Sequence, residues 1–455
     1  MTTITQKKET SLFIELGTQK IGKLLIQYAL PAIVAMTASA IYNITDSIFI
    51  GHGAGELAIS GLALTFPIMN LAAAFGSLVG AGAAALMSLR LGQKDYVSAQ
   101  KILGNLIILN VAIGILFSII TLMFLTPLLM FFGASKDTLP YAKSFLQVIL
   151  LGNIVTHLYL GLNSMLRSLG RPTKSMFCTI LTVCINLVLN PLFIFGFGWG
   201  IKGSAIATVI AQTIVLIWQF TMFFNKKNEI RIERKIFHLD LKIIKDIFSI
   251  GMAPFFMNLA SCVIVIIINK QVVLYGGDLA VGAYGIINRV SFLFVLVVLG
   301  LNQGMQPIAG YNYGAKLYKR VSEVLKKTIF LATIVMIIGF AIILLFPEFI
   351  ASLFTKSEEQ IAITVNGLRY VFMFFPIIGF QMVASNFFQS IGVVKKAIFL
   401  SLTRQVIFLI PLLLVLPLYF GITGVWLSMP IADFVSTILT AILLGLHLKK
   451  FKTQK

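Results

Sequence analysis

Long apolar stretches recur along the whole chain and are separated by short segments that hold most of its charged residues. A helical stretch of about 20 residues is long enough to cross the hydrocarbon layer of a bilayer. A helix also pairs its own backbone polar groups, which find no water in that layer. The pattern predicts twelve transmembrane helices, near residues 24–50, 57–89, 102–131, 139–166, 175–198, 203–224, 243–275, 279–313, 326–346, 361–390, 397–419 and 424–447.

The amino-acid composition supports this interpretation. Of the 455 residues, 58% are hydrophobic and only 11% are charged. Cys178, Cys184 and Cys262 lie in apolar segments without the spacing of metal ligands, so we expect neither a disulfide nor a zinc site. The expected fold class is therefore an all-α integral membrane protein.

The cationic residues are distributed unevenly between the two sides of the predicted membrane. Most of the 36 Lys and Arg residues occur in segments at the face that includes both termini. The opposite face has only Lys136, Lys143, Lys202, Lys356 and Arg369. Cytoplasmic loops are enriched in Lys and Arg, so we expect a multi-pass cell (inner or plasma) membrane protein with cytoplasmic N- and C-termini. Anionic lipid then accounts for the net charge of +20, and we expect no nucleic acid partner.

The chain contains an internal repeat. Residues 55–58 return as residues 277–280, an offset of 222 positions. The same offset relates Gly92, Lys94 and Tyr96 to Gly314, Lys316 and Tyr318. Each half has six spans and so begins and ends on the same face, which predicts two six-helix lobes related by a pseudo-two-fold axis along the membrane normal. The predicted units are an N-lobe at 1–224, a cytoplasmic linker at 225–246 and a C-lobe at 247–455.

Paired lobes of this kind are typical of secondary transporters that work by alternating access, with the substrate cavity between the lobes. A membrane scaffold without transport is the alternative from another class. No Walker motif, zinc triad or Ser-His-Asp order is present, so we expect neither an enzyme nor an ATP-driven pump. We expect no cofactor, and as partners only the lipid bilayer and small-molecule drugs or metabolites.

Only two of the sixteen acidic residues, Asp46 and Asp433, fall well within predicted spans. A charged residue in hydrocarbon costs at least about 2.5–3.5 kcal/mol, so it faces partners or a cavity and often marks an ion pathway. Asp46 could carry a proton, or it could hold Na⁺ if neighbouring oxygens complete a shell. The residue types leave both coupling ions open.

The fifth predicted span contains two amides, Asn186 and Asn190, which are four residues apart and so share one helix face. Pro191 follows and frees a carbonyl near that face, so the cluster could serve an ion. Pro31 precedes Asp46 by fifteen residues on the first span, where we expect it to kink the helix.

The second half has its own intramembrane polar groups. Gln381, Asn386, Arg404 and Asp433 are candidates for lining the substrate cavity. In the first span of each half the offset is 223, since Pro31 returns as Pro254, and this aligns Asp46 with Asn269. We therefore expect the ion site only in the first half.

Pro31 and Asp46 lie in the first span, Asn186 and Asn190–Pro191 lie in the fifth, and residues 203–208 begin the sixth. With this order of residues the chain resembles the multidrug and toxic compound extrusion (MATE) transporters of bacteria. The resemblance covers roughly residues 24–446. It implies export of organic, often cationic drugs in exchange for H⁺ or Na⁺, and an ion site that adds Thr208 to Asp46, Asn186 and Asn190. Many members have Asp where this chain has Asn190, so its site would hold one carboxyl fewer.

A nearer alternative is a lipid or lipid-linked oligosaccharide flippase of the same superfamily. Such a protein would be expected to have more cationic residues in its cavity and extra spans. Twelve spans and the Asp46 cluster favour drug export, and we expect the transporter to work as a monomer.

Overall fold

The computed structural model describes residues 15–226 and 228–453. Residues 1–14, 227, 454 and 455 lie outside the described residues. These residues include the outer ends of the two predicted lobes and one position of the predicted linker. They also include four of the predicted cytoplasmic cations, Lys7, Lys8, Lys227 and Lys455.

The described chain is almost entirely helical. Its α-helices are α1 Ile21–Ala54, α2 Glu56–Gly92, α3 Tyr96–Met123, α4 Leu125–Phe131, α5 Leu139–Leu151, α6 Asn153–Ser168, α7 Pro172–Pro191, α8 Gly200–Phe224, α9 Leu241–Gly314, α10 Tyr318–Leu345, α11 Pro347–Ser352, α12 Glu358–Val371, α13 Phe375–Ser390, α14 Val394–Leu402 and α15 Ile410–Thr453. Two π-helical segments, Leu192–Gly196 and Thr403–Leu409, extend α7 and join α14 to α15. A short 3-10 helix, Arg234–Ile236, lies in the linker between α8 and α9.

The described helices account for twelve spans. Eight helices are long and apolar enough to cross a membrane, and two bent pairs, α5 with α6 and α12 with α13, make ten. Gly277 in α9 and Gly421 in α15 each divide one long helix into two, since both have positive φ. Glycine adopts positive φ without steric cost, so a tight turn forms there without a loop. The predicted twelve-helix fold is confirmed, and both glycines lie at predicted span boundaries.

Two spans that the sequence predicted as continuous are bent. The break between α5 and α6 at Gly152 is 55°, and the break between α12 and α13 is 54°. At the second break Pro376 stands at the start of α13, where it lacks the backbone N–H that would continue α12. Hydropathy alone cannot locate such a bend, because both arms remain apolar.

The two lobes meet most closely at the Lys- and Arg-rich face, where α2 packs along α9. A Cβ added at Gly92 would lie 2.0 Å from the Tyr311 carbonyl oxygen, and one added at Gly314 would lie 2.2 Å from the Leu89 carbonyl oxygen. We call this contact of residues 89–92 with 311–314 the glycine seam. Only glycine permits backbones to approach so closely.

Further contacts close the same face. Gly251 of α9 lies against the backbone of Leu78 in α2, where an added Cβ would be 1.8 Å from its carbonyl oxygen. The Arg90 guanidinium donates to Asp246 at 3.2 Å, which joins the end of α2 to the start of α9. The structure is therefore sealed between the lobes at this face. The residue numbers at which each lobe begins and ends remain predictions.

Candidate functional site

Asp46 lies in α1, eight residues before that helix ends at Ala54, and its side chain is half-buried. The Ser204 hydroxyl of α8 donates to the Asp46 Oδ1 atom at 2.5 Å. The Asn190 amide of α7 donates to the same oxygen. One carboxyl oxygen thus connects three helices, each through a different side chain.

A second layer of hydrogen bonds lies beside this carboxyl. The Asn186 amide donates to Thr208 Oγ1 at 3.0 Å, and the Tyr42 hydroxyl oxygen lies 2.9 Å from the same atom. Thr208 in turn donates to the Ser204 backbone carbonyl at 3.1 Å. The structure therefore brings together all four residues predicted for the ion site.

Sequence reasoning missed Ser204 and Tyr42. Each lies four residues before a predicted member of the cluster, Thr208 in α8 and Asp46 in α1 respectively. Positions four apart share a helix face, so this spacing was the signal that could have found both. Among the hydrogen bonds of the described residues, Ser204 and not Thr208 donates to Asp46.

The local sequence explains how the three helices come together. Pro191 has no N–H to continue the α-helical ladder, and the π-helical segment Leu192–Gly196 follows it. Gly203 then allows α8 to approach that segment, because a Cβ there would lie 3.0 Å from the backbone of Phe193. This approach brings Ser204 and Asn190 to the same oxygen of Asp46.

The cluster has the chemistry of a small cation site. Asn186 Oδ1 and Asn190 Oδ1 are both buried and have no hydrogen-bond donor among the described residues. Together with the Asp46 carboxylate and the hydroxyls, they provide the oxygen ligands that hard cations such as Na⁺ prefer. No three His, Cys, Asp or Glu residues come together within the described residues, so the cluster does not resemble a transition-metal site.

Pro31 does not belong to the cluster. Helix α1 continues through it, and its neighbours in α1 contact the other lobe: a Cβ at Gly304 would lie 2.6 Å from Ala29, and one at Gly300 would lie 2.4 Å from Ile33. Pro31 thus lies within the part of α1 that contacts the other lobe, fifteen residues before Asp46. That the helix bends there remains a prediction.

The cavity candidates of the second half do not form one cluster. Arg404 Nε donates to Asp433 Oδ1 at 2.5 Å, so these two form an ion pair. Gln381 is buried in α13, and the Asn386 oxygens accept from Ser390 on the same helix. No hydrogen bond between described residues joins these two amides to the ion pair, and their role in substrate binding remains a prediction.

Comparison with known proteins identifies the class of transporter. The profile of the MatE family matches residues 31–192 and 253–415, two segments that begin 222 residues apart. The chain belongs to the MatE family, the MATE transporters, which is a family of transporters and not of enzymes. The two matches reproduce the offset of the internal repeat.

Two curated relatives illustrate the similarity. The chain is 28% identical to the multidrug export protein MepA of Staphylococcus haemolyticus (strain JCSC1435) over 420 residues, which is 92% of each chain. It is 26% identical to the multidrug export protein MepA of Staphylococcus aureus (strain MSSA476) over 411 residues, or 90% of each chain.

Solved structures share the fold. An outward-facing multidrug resistance MATE transporter of the MOP superfamily superposes with a TM-score of 0.91 at 23% identity, covering 96% of this chain and 98% of its own. A MOP superfamily transporter from Pyrococcus furiosus gives 0.90 at 24% identity with the same coverage. The described part of the chain therefore has the twelve-helix MATE fold.

Proposed function

We propose that this protein is a secondary active multidrug efflux antiporter that exports organic, often cationic compounds in exchange for H⁺ or Na⁺ by alternating access. The similarity to the MepA multidrug export proteins over about nine-tenths of the chain supports the transported class. The observation that carries ion coupling is the Asp46 carboxyl, whose hydrogen-bond donors among the described residues are all neutral. A carboxyl with neutral donors can change its charge without leaving a partner charge unpaired.

The hydrogen bonds of Asp46 suggest how ion binding acts on the lobes. When the carboxylate takes up a proton or Na⁺, its bonds from Ser204 and Asn190 weaken, because the acceptor oxygen then carries less negative charge. Helix α1 is held to α7 and α8 through those two bonds. Its other end contacts the second lobe through Ala29 and Ile33. A shift of α1 at Asp46, with bending at Pro31, would therefore change the contact between the lobes.

The orientation of the chain fits export. The face that is sealed by the glycine seam is the one rich in Lys and Arg, which we assign to the cytoplasm of a plasma membrane protein. Asp46 lies in the other half of its span. In this arrangement Asp46 can load an ion from outside while the substrate leaves, and can release the ion after the cytoplasmic side opens. No cofactor takes part in such a cycle, and one monomer contains both lobes.

The proposal is tested by transport in membrane vesicles. Ethidium and norfloxacin flux would be measured under an imposed proton gradient and, separately, an imposed sodium gradient. We expect Asp46→Asn to abolish the flux that either gradient drives in the wild type. The matched control is Asn269→Ala, at the position in the second repeat that corresponds to Asp46, and it should retain flux.

Two outcomes would contradict the proposal. Unchanged gradient-driven flux in Asp46→Asn would exclude Asp46 as the coupling residue. A well-expressed wild type that moves neither compound under either gradient would exclude multidrug antiport, and lipid flipping in the same vesicles would then support the flippase alternative.

A further inference from the structure

The second lobe contains an intramembrane ion pair that ion coupling does not use. Arg404 lies in the π-helical segment Thr403–Leu409, and Asp433 lies in the part of α15 after Gly421. The Asp433 side chain is 6% exposed, whereas the Arg404 side chain is 30% exposed. The carboxylate is thus buried, whereas the arginine side chain that pairs with it is partly exposed.

The pair lies near the middle of the membrane. Arg404 is ten residues beyond the start of α14 at Val394, or about 15 Å along a helix, which is about half of the hydrocarbon layer. An exposed guanidinium at that depth would be costly in lipid. Exposure to the cavity that alternating access requires between the lobes would avoid this cost.

The neighbouring residues support this orientation. Gln405 donates to Ser261 Oγ of α9 at 3.2 Å. One turn earlier in α9, the Asn258 amide donates to Ser77 Oγ of α2 at 3.4 Å, which is a contact between the lobes. The polar residues next to Arg404 therefore lead directly to the boundary between the lobes.

We propose, on the basis of the proposed function, that Arg404 forms a subsite for the carboxylate of transported compounds. Asp433 binds the Nε side of the guanidinium, which fixes its plane and leaves the two terminal nitrogens to bind a carboxylate in a fork. Phe434, next to Asp433 in the chain, stacks with Phe374 at a centroid distance of 4.8 Å and is 43% exposed. The subsite therefore fits flat aromatic acids and zwitterions.

The same pair explains how such a subsite can coexist with cation export. Asp433 balances the charge of Arg404, so an organic cation that enters the cavity meets a neutral pair. A compound with a carboxylate gains the guanidinium hydrogen bonds in addition. Arg404 then sets the preference between compound classes and does not decide whether transport occurs.

The test compares norfloxacin, which carries a carboxylate, with its methyl ester, which does not. Binding of each would be measured to purified protein in lipid nanodiscs, so the result does not depend on transport. The double variant Arg404→Gln/Asp433→Asn removes both charges and leaves neither one buried alone. We expect it to weaken norfloxacin binding about tenfold or more and to leave binding of the ester and of ethidium within about twofold.

Arg404→Lys provides a second variant that keeps the ion pair if the double variant does not fold. Lysine retains the charge but lacks the fork, so we expect the preference for acid over ester to fall about threefold or more. An equal loss for acid and ester, or an unchanged acid-to-ester preference in either variant, would overturn the subsite. If the wild type prefers the acid in binding yet moves no compound under either gradient, the subsite stands and the proposed function fails.

Discussion

Each lobe has one acidic residue deep in the membrane, and the two acids are held in opposite ways. Asp46 of the first lobe accepts hydrogen bonds from a neutral hydroxyl and a neutral amide. Asp433 of the second lobe pairs with the Arg404 guanidinium. The first arrangement allows the carboxyl to gain and lose charge, whereas the second fixes it as a charged partner. The two repeats therefore share a fold but have acquired different chemistry.

The glycine seam, unlike the two acidic sites, is still the same in both repeats. The offset of 222 relates Leu89 to Tyr311 and Gly92 to Gly314. Gly92 contacts Tyr311, and Gly314 contacts Leu89. The contact between the lobes has thus kept the symmetry that their polar sites have lost. Variants at the seam should have equal effects in both lobes, while variants at the polar sites should not.

The largest expected effect is at the seam. In Gly92→Ala or Gly314→Ala the new Cβ would clash with a backbone carbonyl, which cannot turn aside as a side chain can. The sealed state should therefore be disfavoured by about 3 kcal/mol, the upper end of overpacking costs, or roughly a hundredfold. Spin-label distances between α2 and α9 should report more separation at the Lys- and Arg-rich face. The control is Gly285→Ala, where an added Cβ meets nothing within 4 Å. An effect from only one of the two seam glycines would contradict the symmetry.

An intermediate effect is expected from Ser204→Ala. This change removes one donor to the Asp46 carboxylate, and hydrogen bonds to charged groups contribute about 1.5–3 kcal/mol. We expect the ion dependence of transport to change about tenfold, measured as the ion concentration that gives half-maximal flux. Ser428→Ala in the second lobe removes a hydroxyl that bonds only its own helix backbone, and it should change this value little. If both variants shifted the ion concentration for half-maximal flux equally, ion coupling would not be specific to the first lobe.

The smallest expected effect concerns the start of α3. Hydrogen bonds from the Ser98 hydroxyl and backbone N–H hold the pKa of the Asp95 carboxyl below its usual value. The Asp95 carboxylate therefore contributes fully to the free energy of unfolding when the pH is above the ordinary carboxyl pKa of about 4. This contribution declines as the pH falls through the lowered pKa. Asp95→Ala should cost about 1 kcal/mol at neutral pH and less at acidic pH.

Thermal unfolding of the purified protein at several pH values would measure this difference. Leu317, the residue before α10 in the second lobe, makes no side-chain hydrogen bond to its helix. Leu317→Ala is therefore the matched control and should show no such pH dependence. A pH-independent difference for Asp95→Ala would mean that Asp95 acts through packing and not through its charge.

Much of the fold could be predicted because membrane spans have a strong local signal. The twelve spans follow from apolar length, and the turns at Gly277 and Gly421 follow from residue type. The bends at 152 and at 372–374 could not be predicted from hydropathy, since both arms of each bent span remain apolar.

The candidate site was predictable only in part. The spacing of Asn186 and Asn190 places both on one face of α7, and both are buried beside Asp46 as that spacing suggests. Ser204 and Thr208 share one face of α8, so the position of that helix along its own axis decides that Ser204 donates to the carboxyl. Gly203 permits the close approach beside Ser204. Arg404 and Asp433 were recognised singly, but their pairing depends on the packing of two separate helices.

The glycine seam also carries information about how the molecule arose. A contact in which Leu89 meets Gly314 while its counterpart Tyr311 meets Gly92 is isologous, as in a homodimer with two-fold symmetry. The sealed face therefore preserves the geometry of an association between two identical six-helix subunits, now joined in one chain by the linker.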